Sequence, residues 1–121
     1  MADFGTQERS AFIASDRVEG TAVYNPEGER LGSISRLMIG KTDGQVQCAV
    51  LSFGGFLGIG NDHYPLPWRM LRYDVEKGGY VVDLDKERLK DAPHYDLGRE
   101  PEFDEAYTRA LYTYYGLNPI F

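Results

Sequence analysis

A small, mainly β domain finished by one C-terminal α-helix is what this 121-residue sequence predicts, and three observations predict it. Six short apolar runs lie between residues 18 and 84, too closely spaced to alternate with helices. Turn chemistry separates them, as in Asn25-Pro26-Glu27-Gly28 and Asp43-Gly44. After Asp85 the composition changes, and apolar residues then recur at helical spacing.

Residues 1–14 are weakly patterned and read as a strap, with Ala11-Phe12-Ile13-Ala14 as its apolar patch. Ser15-Asp16 marks a turn. Residues 18–24 read as the first strand, interrupted by Gly20, and residues 30–39 as its return. Leu31, Ile34, Leu37 and Ile39 change parity along that return, which predicts a bulge. Gly32 fits a barrel corner or a close backbone approach. Residues 46–53 are apolar on both faces, as an interior strand covered on both sides would be. Residues 54–60 form a glycine-rich connection carrying Phe56, Leu57 and Ile59. The next strand, residues 64–68, holds Pro65 and Pro67 two apart, so their missing N–H groups point the same way. That suits an edge or an open seam. Residues 71–74 and 80–84 complete the β region, and six such strands make a small barrel or a sandwich.

The domain plan is therefore a strap over 1–14, a barrel over 15–90, and a connector with a terminal helix over 91–121. Residues 85–89 suit one helical turn. Pro101 can open the last helix, where its absent N–H does no harm. Glu102, Asp104 and Glu105 would then complement the helix dipole. Phe103, Ala106, Tyr107, Ala110, Leu111 and Tyr114 form the expected inward stripe, and Gly116 the expected C-terminal cap.

The charge balance excludes some functions. With 19 acidic against 13 basic residues, the net charge is −6. Neutralising nucleic-acid phosphates needs clustered Lys and Arg, so no direct nucleic-acid partner is expected. An anionic membrane surface is disfavoured for the same reason. No apolar stretch approaches the roughly 20 residues of a transmembrane helix, and the N-terminus lacks the apolar core of a signal peptide. Cys48, the sole cysteine, sits in an apolar run and reads as a small buried hydrophobe. These readings point to a cytoplasmic protein.

Three stretches carry a family resemblance. They are Gly28-Glu29-Arg30-Leu31-Gly32-Ser33-Ile34, then residues 50–60, then Pro65-Leu66-Pro67-Trp68-Arg69-Met70-Leu71. In this order and spacing the chain resembles the PRC-barrel family over about residues 12–92. It looks most like short stand-alone bacterial members with an Ala-Pro-x-Tyr segment after the barrel, here Ala92-Pro93-His94-Tyr95. The family takes its name from the cytoplasmic domain of the photosynthetic reaction centre H subunit, and the same fold forms one domain of the ribosome-maturation factor RimM. The resemblance implies a six-stranded antiparallel barrel used as an interaction module. It implies no catalytic residues and no cofactor. Neither a membrane helix like that of the H subunit nor the separate N-terminal domain of RimM is expected from this sequence, so the roles of those two proteins are not expected to transfer.

Candidate sites are few. Residues 54–60 match neither a dinucleotide fingerprint nor a Walker loop, and no helix follows them. Phe56, Leu57 and Ile59 either cap the barrel as core or stand out as an interface. Trp68 reads as core or barrel rim. His63 and His94 lie far apart with no metal-ligand spacing, and both read as solvated loop residues. Asp83 and Asp85 share a strand face and read as surface charge. Tyr112 and Tyr115 fall off the helical stripe, and Phe121 lies at the end of the sequence. Tyrosine is enriched at interfaces, so Phe56, Leu57, Ile59, Tyr112, Tyr115 and Phe121 are the candidate contact residues. Two placements fit the helix: on its own barrel or on a neighbour's. The expected function is a non-catalytic module that self-associates and binds another protein. The alternatives are a ribosome or RNA-processing adaptor, and a small-ligand barrel with its mouth near His63.

Overall fold

A computed structural model describes residues 11–52, 62–96 and 98–118. Its organising element is a hairpin of two long strands, β2 (Arg30–Ile39) and β3 (Val46–Ser52). They pair antiparallel from Ser33↔Ser52 to Ile39↔Val46. The ladder shifts register between Ile34 and Arg36 and again between Met38 and Ile39. The first shift is the bulge that the parity change predicts; a further shift in the β1–β2 ladder falls at Leu31, and Leu31 and Ile34 are both buried while Ile39 is half exposed.

Gly32 shows why the hairpin closes so tightly. A Cβ built there would lie 2.3 Å from the Ser52 carbonyl oxygen, which is backbone and cannot rotate away. Only glycine permits that approach.

Around the hairpin lie β1 (Ala22–Tyr24), β4 (Asp62–Pro67), β5 (Arg72–Asp74), β6 (Gly79–Val81) and β7 (Tyr95–Asp96). The sheet order is β5-β6-β1-β2-β3-β4-β7. It departs from the six-stranded antiparallel barrel expected from the sequence. There are seven strands among the described residues, the sheet is not closed, and β1 pairs parallel with β6 through Val23↔Tyr80 and Tyr24↔Val81. That pair joins segments far apart in the chain, so no local turn chemistry announces it. The extra strand β7 adds to the start of β4 through Asp62↔Asp96 and His63↔Tyr95.

Residues 18–24 are not one strand. Ser15–Val18 make a helical turn, α1, and the strand starts only at Ala22. Gly20 breaks the run at positive φ. The Thr21 hydroxyl donates to the Arg17 carbonyl oxygen at 2.6 Å and helps hold the turn. At the other end, Lys86–Lys90 form α2. Asp85 is more than a surface charge: its side chain accepts from Arg88 N at 2.7 Å and caps that helix.

The core is one cluster. Val23, Leu31, Ile34, Leu51, Leu66, Val82 and Leu89 fill the inside of the sheet. On β3, Cys48, Ala49, Val50 and Leu51 are buried in succession, so both faces of that strand are covered. The second cover is the terminal helix α3 (Glu105–Tyr114), which packs on β4.

Candidate interaction surface

Helix α3 starts four residues later than Pro101. Asp104 is its cap and accepts from Tyr107 N at 2.8 Å. Residues 101–104 are irregular instead, and Phe103 lies against Tyr95 and Tyr107, with ring centroids 6.2 and 5.0 Å away. Gly116 ends the helix as expected, at φ 74°. Gly116 N donates to Thr113 O and Leu117 N to Tyr112 O, each at 2.9 Å, which is the Schellman pattern.

The inward face is rotated from the predicted stripe. Thr108, Leu111, Tyr112 and Tyr115 are buried, while Ala106 and Ala110 are exposed and Tyr114 is 40% exposed. Tyr112 and Tyr115, expected to face a partner, are core residues of their own chain. The reason is chemical. Tyrosine offers both a large apolar ring and a hydroxyl, and β3 presents a backbone acceptor under the helix. Tyr112 donates to Gln47 O at 2.8 Å. The Arg69 guanidinium lies 6.0 Å from the centre of the Tyr112 ring and donates to Asn118 O at 2.9 Å, so one side chain contacts the helix and its tail. The Tyr115 hydroxyl is buried without a hydrogen-bond partner among the described residues.

This packing explains the prolines. Pro65 and Pro67 pair with Val50 and Cys48 on one side of β4, while β7 pairs only with Asp62 and His63 on the other. The seam beside the prolines therefore has no strand among the described residues, and α3 packs on β4.

Of the two histidines, His94 is the exposed loop residue expected and His63 is not. His63 is on β4, only 9% exposed, and stacks on Tyr95 with centroids 5.5 Å apart. His94 is exposed but stacks on Tyr64 at 5.0 Å, its Nδ1 lying 2.9 Å from Ala92 O. No group of three or more His, Cys, Asp or Glu among the described residues has a metal-binding arrangement. Burial pushes the Cys48 thiol up to about 12, so it carries no thiolate at neutral pH. Burial, then the neighbouring Glu100 carboxylate, pushes Tyr95 up to about 12. Glu100 in turn accepts both contacts of Arg36 Nη1, at 2.9 and 3.0 Å, tying the connector to β2.

What α3 leaves uncovered is its outer side. Ala106, Ala110, Thr113 and Tyr114 line a shallow groove there, bordered by the Glu105–Arg109 ion pair at 2.7 Å. Sequence reasoning placed Ala106, Ala110 and Tyr114 inward. Their alternative was legible only in the mixed character of the helix, which has apolar residues on nearly every side. Phe56, Leu57, Ile59 and Phe121 lie outside the described residues.

The PRC-barrel domain family matches residues 11–89. The chain belongs to the PRC-barrel family. The match ends within α2, and the connector, β7 and α3 lie beyond it. Comparison with curated proteins finds no sequence relative. Among solved structures, the PRC-barrel chain is similar to the 16S ribosomal RNA processing protein RimM of Pseudomonas aeruginosa. The identity is 19% and the TM-score 0.42, over 67% of this chain and 49% of that one. This chain thus spans about half the length of that protein. Among the described residues no helix is long and apolar enough to cross a membrane.

Proposed function

We propose that this PRC-barrel protein is a non-catalytic, cytoplasmic interaction module that self-associates and engages another protein through the outer face of α3. The observation that carries the reading is the exposure of Ala106, Ala110 and Tyr114 on a helix whose other face is already spent on the barrel. Two alanines one turn apart let a second backbone approach closely, and Tyr114 beside them offers area with a polar tip. Phe56, Leu57 and Ile59 belong to the same proposal as apolar anchors, on their residue type.

Light scattering behind a sizing column tests it. The expected mass at tens of micromolar is a multiple of 13.7 kDa. Ala110→Arg should return the mass to 13.7 kDa and leave the melting temperature nearly unchanged, because exposed substitutions cost about 0.5 kcal/mol or less. Phe56→Ser with Leu57→Ser should weaken the association further. A wild-type mass of 13.7 kDa removes self-association from the proposal. A wild-type multiple that A110R does not change moves the contact away from α3.

A further inference from the structure

Large side chains meet small ones around a cavity of about 430 Å³ beside the β5–β6 hairpin. Trp68, Leu71, Tyr73 and Tyr80 line it with bulk, whereas Ala11, Ala14 and Gly78 bring little or no side chain to it. Phe12, the largest residue of the 11–14 stretch, is 84% exposed and does not fill the space. The volume lies in the range of small-molecule sites.

The three rings have a definite arrangement. Tyr80, on β6, belongs to the core and is only 4% exposed. Trp68 and Tyr73 are half-buried, and each meets Tyr80 edge-on, with ring centroids 5.4 and 5.1 Å away. Backbone pairing holds two of them in place, because Tyr73 and Tyr80 stand directly opposite each other in the β5–β6 ladder. One ring is therefore fixed in the core, and two keep surface for a visitor. A planar molecule entering beside them finds aromatic faces and edges together.

The rest of the wall offers hydrogen bonds without a spare charge. Ile13 makes no backbone–backbone hydrogen bond among the described residues. At one end, the Thr21 hydroxyl donates to the Arg17 carbonyl oxygen, and Arg17 itself is already engaged within the folded chain. An ionised ligand would give up its hydration here with no charge reserved to replace it.

We propose that this cavity binds a small uncharged aromatic molecule of one or two rings, an indole or a phenol, against Trp68, Tyr73 and Tyr80. Its lining shares no residue with the groove on α3 and does not include His63.

The chain has one tryptophan, so its indole N–H gives a single resonance from the cavity wall. Titrate the ¹⁵N-labelled full chain with unlabelled indole, with cyclohexylmethanol, and with indole-3-acetate. The expected result is a saturable shift of the Trp68 indole N–H with indole, half complete at about 1 mM. Cyclohexylmethanol, which lacks the planar ring, should bind about tenfold more weakly. Indole-3-acetate should bind no more tightly than indole. Tyr73→Leu keeps apolar bulk but removes a ring, and it should weaken indole several-fold. Four results overturn the proposal: no saturable shift at about 10 mM indole, cyclohexylmethanol binding as tightly as indole, the acid binding more tightly than indole, or Y73L binding indole as wild type does. The three-ligand comparison uses the wild-type chain, so it decides even if Y73L folds poorly.

Discussion

Tyr112 and Tyr115 are the same residue type three positions apart, both buried, with opposite hydrogen-bonding fates. Tyr112 holds Gln47 O at 2.8 Å, whereas the Tyr115 hydroxyl has no partner among the described residues. Removing the first hydroxyl strands a backbone carbonyl; removing the second relieves a buried polar group. Urea unfolding should therefore show Tyr112→Phe destabilised by about 1 kcal/mol and Tyr115→Phe unchanged or more stable. Equal losses in both would mean that Tyr115 has a partner beyond the described residues. Cys48 belongs to the same class of buried residue whose environment removes its chemistry. With the thiol held near 12, a thiol reagent at pH 8 should label it only as fast as the chain opens. Rapid labelling of the native protein would contradict the packing.

The hairpin of β2 and β3 and the helix α3 each depend on one glycine for different reasons. Gly32→Ala would drive a methyl into the Ser52 carbonyl, which neither strand can relieve without breaking the ladder. We expect a loss of about 3 kcal/mol or failure to fold, read by circular dichroism and thermal melting. Gly116→Ala meets open space but holds a left-handed backbone at φ 74°. Its cost should be about 1 kcal/mol, confined to the end of α3 and visible as faster amide exchange at Gly116 and Leu117. If both variants lose the same stability, steric approach and backbone conformation have been misassigned here.

The molecule as a whole is an open, mixed sheet with a helix packed at its seam, and its burial of weak acids predicts its response to pH. Cys48 and Tyr95 are both raised to about 12 from ordinary values of 9.0 and 10.0, chiefly by burial, and Tyr115 is raised further for the same reason. In each case the unfolded chain releases the proton first. Their protonation therefore favours the fold below pH 9, and that advantage drains away as pH rises toward 12. Melting temperature should hold from pH 7 to 9 and fall steeply above it. Cys48→Ala should flatten the first part of that fall; a melting curve indifferent to pH up to 11 would show that these groups are not buried as described. The Arg36–Glu100 pair, partly exposed on both sides, should contribute less than about 1 kcal/mol to the same balance.

Much of the β architecture was legible from local chemistry alone. Asp43-Gly44 and the parity change after Ile34 marked a hairpin with a bulge, the paired prolines marked a seam, and Gly116 marked a helix end, because turn, strand and cap preferences act over a few residues. The resemblance carried by Gly28–Ile34 and Pro65–Leu71 identified the family, and the match over residues 11–89 bears it out. What tertiary structure decided is everything that depends on a surface met at a distance. The parallel β1–β6 pair joins the first strand of the sheet to a late one. The rotation of α3 follows from Gln47 offering Tyr112 an acceptor, a fact absent from the helix's own periodicity. The cavity beside Trp68 is lined by residues 11–14 together with Tyr73 and Tyr80, which follow them by some sixty residues. Sequence determines which local shapes are cheap; which face of each one is buried is settled by the partner that the folded chain brings to it.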